Sequence, residues 1–171
     1  MTETRERIFR TVRRDPGIHF NELVRRLDIA PGQVQYHVRR LGRADRIIRE
    51  PCHGQTHYYP DGFDAHERRA IALLRRETTR ALVATVLAES PIHPNTLAER
   101  LDIARSTVEF HLDRLIDAEL VEKHRTVDGG VSVALTDPDE TQRLLGVTAP
   151  PIHRRLADRF ERLIDEIAEE P

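Results

Sequence analysis

The stretch QVQYHVRRLGR, residues 33–43, holds the densest set of side chains able to recognise a partner. At helical spacing Gly32, Tyr36, Arg39 and Arg43 share one face, flanked by Gln33, Gln35 and Arg40, while Val34, His37, Val38 and Leu41 share the opposite one. The polar face suits the edges of stacked bases. An amide can bond adenine, a guanidinium fork fits guanine or a phosphate, a phenol can reach backbone or a thymine methyl, and glycine permits close approach. Arg25, Arg26, Arg46 and Arg49 surround it in sequence.

Seventy-four residues later, TVEFHLDRLID at 107–117 repeats the pattern with the charge reversed. Its polar face is Ser106, Phe110, Asp113 and Asp117, flanked by Thr107, Glu109 and Arg114. Carboxylates aimed at phosphates repel them, so this copy is expected to be a poor reader of a nucleic-acid groove. Arg105, Ser106, Thr107 and Arg114 leave open a second backbone contact; presenting Phe110 and the acids to a protein surface is the other use.

Other constellations are thinner. Cys52, His53 and His57 crowd a short segment and raise zinc or redox sensing. One cysteine and two histidines fall short of a metal-ligand pattern, and polar side chains lying along a nucleic-acid backbone are the alternative. His66-Glu67 opens like a metalloprotease helix, but residue 70 is Ala and the second ligand is missing. His37 and His111 sit on the apolar side, where a histidine satisfied by a hydrogen bond is the ordinary case. No GxGxxG, GxxxxGK[ST] or GxSxG occurs. Neither an enzyme, a cofactor nor a bound metal is expected.

These residues need elements to hold them, and the chain supplies one set twice. IHFNELVRRLDIA (18–30) falls on IHPNTLAERLDIA (92–104) without a gap, and residues 8–50 map onto 82–124. Each copy begins with a helix (about 4–15 and 79–89) stopped by Asp15-Pro16-Gly17 or Ser90-Pro91. A second helix follows, with His19 and His93 in the N-cap place, Glu22 at its third position and Pro94 at its first. A short turn leads to the third helix, opened in the first copy by Pro31. The period then changes to that of a hairpin: Ile47 to Tyr59 around Cys52-His53-Gly54, and Leu120 to Leu135 around Asp128-Gly129-Gly130. Three helices and a hairpin make a winged helix, so the fold class is mainly α with small β-hairpin wings.

The expected division is residues 1–62 as the first winged helix, 63–78 as a linker helix capped by Asp64 and running to about Glu77, 79–137 as the second winged helix, and 138–171 as C-terminal helices. Asp137 and Glu140 form a capping box for a helix reaching Leu145. Leu156, Phe160, Leu163, Ile164 and Ile167 make a narrow apolar stripe that needs a partner, its own domain or a second chain; a homodimer is the favoured expectation.

Composition narrows the class. The 171 residues are 39% hydrophobic and 33% charged, enough for two small cores. The basic set is 26 arginines and Lys123, and the net charge of −2 conceals an uneven split. Residues 1–62 carry 12 arginines against 8 acids, and residues 63–171 carry 15 basic residues against 21 acids. The basic half is the expected nucleic-acid side. One cysteine argues against a disulfide framework, and neither a signal sequence nor an apolar span of membrane length is recognisable, so a soluble cytoplasmic protein without a membrane partner is expected.

The motifs HVRRL with ADRI, and HLDRL with AELV, resemble the winged helix-turn-helix regulators of the ArsR/MarR superfamily, and the whole chain resembles a haloarchaeal type of tandem winged-helix transcriptional regulator. The resemblance implies a sequence-specific regulator of double-stranded DNA whose first third helix lies in the major groove, with Arg49, His53 and Gln55 of the wing beside it. A protein-interaction adaptor, and a thiol- or metal-responsive regulator acting through Cys52, are the alternatives. The sequence does not indicate a small-molecule effector.

Overall fold

The computed structural model describes residues 3–149. The first unit runs α1 (Glu3–Arg14), β1 (Ile18–His19), α2 (Phe20–Leu27), α3 (Pro31–Arg43), β2 (Ile47–Cys52) and β3 (Gln55–Pro60). Its antiparallel sheet has the order β1-β3-β2. Helix α4 (Ala65–Leu74) follows. The second unit repeats the plan with α5 (Glu77–Glu89), α6 (Pro94–Leu101), α7 (Arg105–Asp117), β4 (Val121–Arg125) and β5 (Val131–Leu135), and α8 (Pro138–Thr148) closes the described chain. The protein is mainly helical with two small β-hairpin wings. No helix among the described residues is long and apolar enough to cross a membrane.

The repeat is a repeat of cores. Ile8, Val12, Ile18, Leu23, Val34, Val38, Leu41 and Ile47 are buried, and so is each residue 74 positions on: Leu82, Val86, Ile92, Leu97, Val108, Leu112, Leu115 and Val121. Backbone specials repeat as well. Asp28 and Asp102 close the second helices with φ of 52° and 50°, and Asp45 and Glu119 take φ of 52° and 59° after the third helices. A left-handed residue at these places ends each helix and turns the chain. The first wing turns on His53 and Gly54, both at positive φ, as a two-residue hairpin of this twist requires.

Several details depart from expectation. The two-residue strand β1 pairs Ile18 with Tyr58 and His19 with His57; in the second unit the same place has only a bridge from Ile92 to Val133. His19 caps α2, its Nδ1 accepting from the Glu22 amide at 3.3 Å, but Nδ1 of His93 lies 2.8 Å from the Val131 carbonyl and does not cap α6. The linker helix stops at Leu74 rather than near Glu77, because Arg76 is extended (φ −84°, ψ 127°) and α5 starts immediately after it. Helix α8 passes Leu145 to Thr148, and Asp137 accepts from the Glu140 amide at 2.9 Å.

Helix α4 is not an exposed spacer. Five consecutive residues, Ala70 to Leu74, are buried, so no side of its second half faces solvent. Tyr58 and Tyr59 point to opposite faces of β3, Tyr58 into the first core and Tyr59 into the cluster built by α4 and the second unit. The Tyr59 hydroxyl donates to the Arg68 carbonyl at 2.8 Å. On the first unit's side, Arg75 donates to Glu22 at 2.8 Å, and Arg26 reaches both Glu22 at 2.7 Å and Asp15 at 2.8 Å. The first hairpin and the second core thus share α4 as a common wall.

Candidate nucleic-acid interface

Helix α3 lies where its inner positions are clamped by the first core, which fixes what faces out. Val34, Val38 and Leu41 are buried against α1 and the sheet, and Gly32, Gln33, Gln35, Tyr36, Arg39, Arg40 and Arg43 are all exposed. Tyr36 is 53% exposed, uncommon for a large aromatic without a partner surface. Arg40 donates to its hydroxyl at 2.8 Å, which holds the phenol against the helix and lowers its pKa. No carboxylate interrupts the outer face of this helix between Pro31 and Arg43.

The wing extends the basic surface on one side. Arg49 of β2 stands across from Tyr58 and lies against the end of α3, close to Gly42. A cleft of about 310 Å³ opens between α2, α3 and the hairpin, lined among others by His19, Asn21, Gln35, Arg39, Arg49 and Gln55. The structure therefore brings Gln35, Arg39, Arg49 and Gln55 together. Asn21 and His19 were missed as members because the sequence alone gives no sign that the start of α2 meets the wing; β1, which draws Ile18 and His19 into the sheet, creates that meeting. His53 is placed differently. It is exposed at the wing tip and is not among the residues lining the cleft; desolvation, then the charges of Arg114 and Arg76, lower its pKa.

The expectation that the wing's polar residues all lie outward needs correction at His57. Its side chain is buried, Nδ1 donating to the Gly17 carbonyl at 2.7 Å, and burial lowers its pKa below the ordinary value. In β3, residues 57 to 59 are all buried because the strand has β1 and β2 on its edges and a core on each face. Cys52 is half-buried, and burial raises its thiol pKa despite nearby arginines. Among the described residues, no three or more His, Cys, Asp or Glu side chains are grouped to hold a metal ion.

Helix α7 presents a different surface. Phe110 is 51% exposed with the Arg114 guanidinium 4.0 Å over its ring, and Asp113 and Asp117 are exposed beside it. Arg105 is held by Glu109 at 2.9 Å and by Asn95, while Lys123 donates to Glu109 at 2.7 Å. Of the four residues open to a second backbone contact, Ser106 is exposed and without charge, Thr107 is half-buried, and Arg105 and Arg114 are engaged on their own domain. The stripe from Leu156 to Ile167 lies outside the described residues.

Two family models match the chain, one described as an N-terminal HTH domain over residues 2–71 and one as a helix-turn-helix domain over residues 74–124. An uncharacterized HTH-type transcriptional regulator of Methanocaldococcus jannaschii is 26% identical over 121 residues, 71% of this chain and 30% of the relative; the chain thus spans less than a third of that protein's length. Among solved structures, the PcaV transcriptional regulator from Streptomyces coelicolor is 22% identical, covering 82% of this chain and 96% of its own, with a TM-score of 0.45. The multiple antibiotic-resistance repressor of Listeria monocytogenes is 15% identical over 80% of this chain and 83% of its own, with a TM-score of 0.40. At that distance neither neighbour's function transfers.

Proposed function

We propose that this chain, whose two helix-turn-helix domains stand in tandem, is a sequence-specific DNA-binding transcriptional regulator that reads the major groove with α3 and sets its first wing against the adjoining backbone. The observation that carries the reading is the contrast between two equivalent helices. The α3 face exposes Tyr36, Arg39, Arg40 and Arg43, whereas the α7 face exposes Phe110, Asp113 and Asp117 on the same framework. In the proposed complex Arg39 and Arg43 contact base edges or phosphates, Gln33 and Gln35 read adenine, Gly32 allows close approach, and Arg49 and Gln55 hold the backbone beside the cleft. His53 belongs to the outer end of the wing and contributes least. The second winged helix acts as a scaffold, with Arg105 and Arg114 engaged on their own domain. The protein acts by binding rather than by catalysis, and the C-terminal stripe of Leu156, Phe160, Leu163, Ile164 and Ile167 pairs two copies.

The test is duplex selection from a random-sequence library followed by titration at fixed salt. Arg39→Ala or Arg43→Ala is expected to weaken the selected duplex by about 1–3 kcal/mol, and Asp113→Ala to leave binding unchanged or improve it. Equal losses from both sets would end the asymmetry. A protein that shows no salt-sensitive duplex binding would instead be a protein-interaction adaptor. The thiol-responsive alternative predicts that Cys52→Ser abolishes an effector response; burial raises the Cys52 pKa, the direction opposite to that of a reactive thiol, and an unchanged response would remove it.

A further inference from the structure

The two copies treat one histidine differently. In the second unit Nδ1 of His111 on α7 lies 3.1 Å from the Thr79 hydroxyl of α5, so the seam between first and third helices is closed by a direct hydrogen bond. The 74-residue register carries His111 to His37 and Thr79 to Arg5. The first unit therefore keeps the histidine on α3 and replaces the threonine on α1 with arginine. Here Nδ1 of His37 and Nε of Arg5 are both shut off from solvent, and neither has a hydrogen-bond partner among the described residues.

A buried polar nitrogen left without a partner is costly, and the first unit carries two of them on the helices that form this seam. Arg5 Nε–H can only donate, and His37 donates equally when its proton is on Nδ1. The register sets Arg5 opposite His37 as Thr79 stands opposite His111, and what two donors placed so need is an acceptor oxygen. Its charge follows from the neighbours: Arg40 stands beside Arg5 among the charges acting on His37, and the Tyr36 hydroxyl is held by Arg40 at 2.8 Å. The seam borders the exposed face of α3, since the His37 ring packs edge-on to exposed Tyr36 with centroids 5.1 Å apart. The occupant is thus an oxyanion reached from the side on which α3 is exposed.

We propose that the α1–α3 seam of the first unit is an anion site in which Arg5 and His37 together hold a phosphate oxygen. Two sources share that chemistry, a DNA backbone phosphate and free inorganic phosphate. The first rests on the proposal that α3 reads DNA; the site itself does not. The duplicated seam serves as its built-in control, since Thr79 already occupies the corresponding place at His111.

The site is tested on the full chain with 15N-labelled imidazoles, titrated with inorganic phosphate at constant ionic strength. A saturable shift of the His37 Nδ1 resonance, with His111 unmoved and the response lost in Arg5→Thr, supports the site. Arg5→Thr installs the pair used by the second unit and is expected to fold; His37→Gln serves as a second variant, and thermal melting confirms both. An unmoved His37, or a shift that survives Arg5→Thr, overturns the proposal. The source is decided by duplex titrations across a salt series. A backbone phosphate predicts that Arg5→Thr weakens binding about tenfold at low salt and flattens the dependence of log K on log salt by about 0.9, the share of one phosphate. Unchanged duplex binding alongside a lost phosphate shift assigns the site to free phosphate. If the wild-type chain binds no duplex, the DNA reading fails and the phosphate titration still decides the site.

Discussion

Glu22 shows how a charge becomes structural when its partners come from two elements. Its carboxylate is buried, with Arg26 of the same helix at 2.7 Å and Arg75, just past the end of α4, at 2.8 Å. Burial pushes its pKa up, but the guanidinium of Arg75, aided by Arg26, outweighs this and holds the group below its ordinary value. A carboxyl depressed in the folded state contributes stability that is present above the unfolded value of about 4.5 and is lost as pH falls through the folded one. Glu22→Gln is expected to cost about 3 kcal/mol in urea unfolding at neutral pH, and the deficit should shrink on acidification below about pH 4.5. His57 acts earlier on the pH scale. It is a base held neutral by burial, so its contribution is complete above its ordinary value of 6.5 and is lost as pH drops below that. His57→Gln should therefore flatten the decline in stability between about pH 7 and 5, whatever it costs at neutral pH. At this scale the sequence placed Glu22 at the start of a helix and His57 in a wing. It could not show that either would be enclosed, because both are buried by residues distant in sequence.

Two glycines separate what an element needs from what it does. Gly17 has φ of 78°, and a Cβ there would stand 2.6 Å from Cγ2 of Ile71 on α4. Gly17→Ala combines left-handed strain with overpacking of the seam and should destabilise by about 2–4 kcal/mol, measured by denaturant midpoint. Gly32, in the first turn of α3, has nothing within 4 Å of a built Cβ. Gly32→Ala should leave stability unchanged or raise it by up to about 1 kcal/mol while weakening duplex binding, because the methyl stands on the proposed reading face. A variant that gained stability and kept full binding would remove Gly32 from that face. The helices themselves were legible from their stops, caps and periodicity, since these are local properties. The break between α4 and α5 was not, because it falls where Arg75 pairs with Glu22 of the first unit and Arg76 turns extended.

For the molecule as a whole, the shared wall at α4 ties the units together. Tyr59 and Ile48 of the first hairpin pack with the cluster that holds the second core, so unfolding either unit exposes the other's apolar surface. Urea unfolding followed by tyrosine fluorescence and by backbone circular dichroism should give coincident transitions; two separated steps would show that the units are independent. The uneven charge, net positive over residues 1–62 and net negative beyond, should make duplex affinity fall steeply with salt. The proposed pairing through Leu156, Phe160, Leu163, Ile164 and Ile167 is checked by sedimentation: Leu163→Asp with Ile164→Asp should leave a single chain where the unaltered protein sediments as two.

By itself the sequence determined the duplicated winged-helix plan, the inward and outward faces of α3 and α7, and the opposition of charge between them. Each follows from residues close together in the chain and from a fixed helical repeat. Tertiary structure alone decided that α4 is enclosed, that His57 turns inward while His53 stays exposed, and that Nε of Arg5 and Nδ1 of His37 are both buried without a hydrogen-bond partner among the described residues. Those outcomes depend on which surfaces pack across long stretches of chain, and burial by a distant partner leaves no periodic trace at the residue it covers.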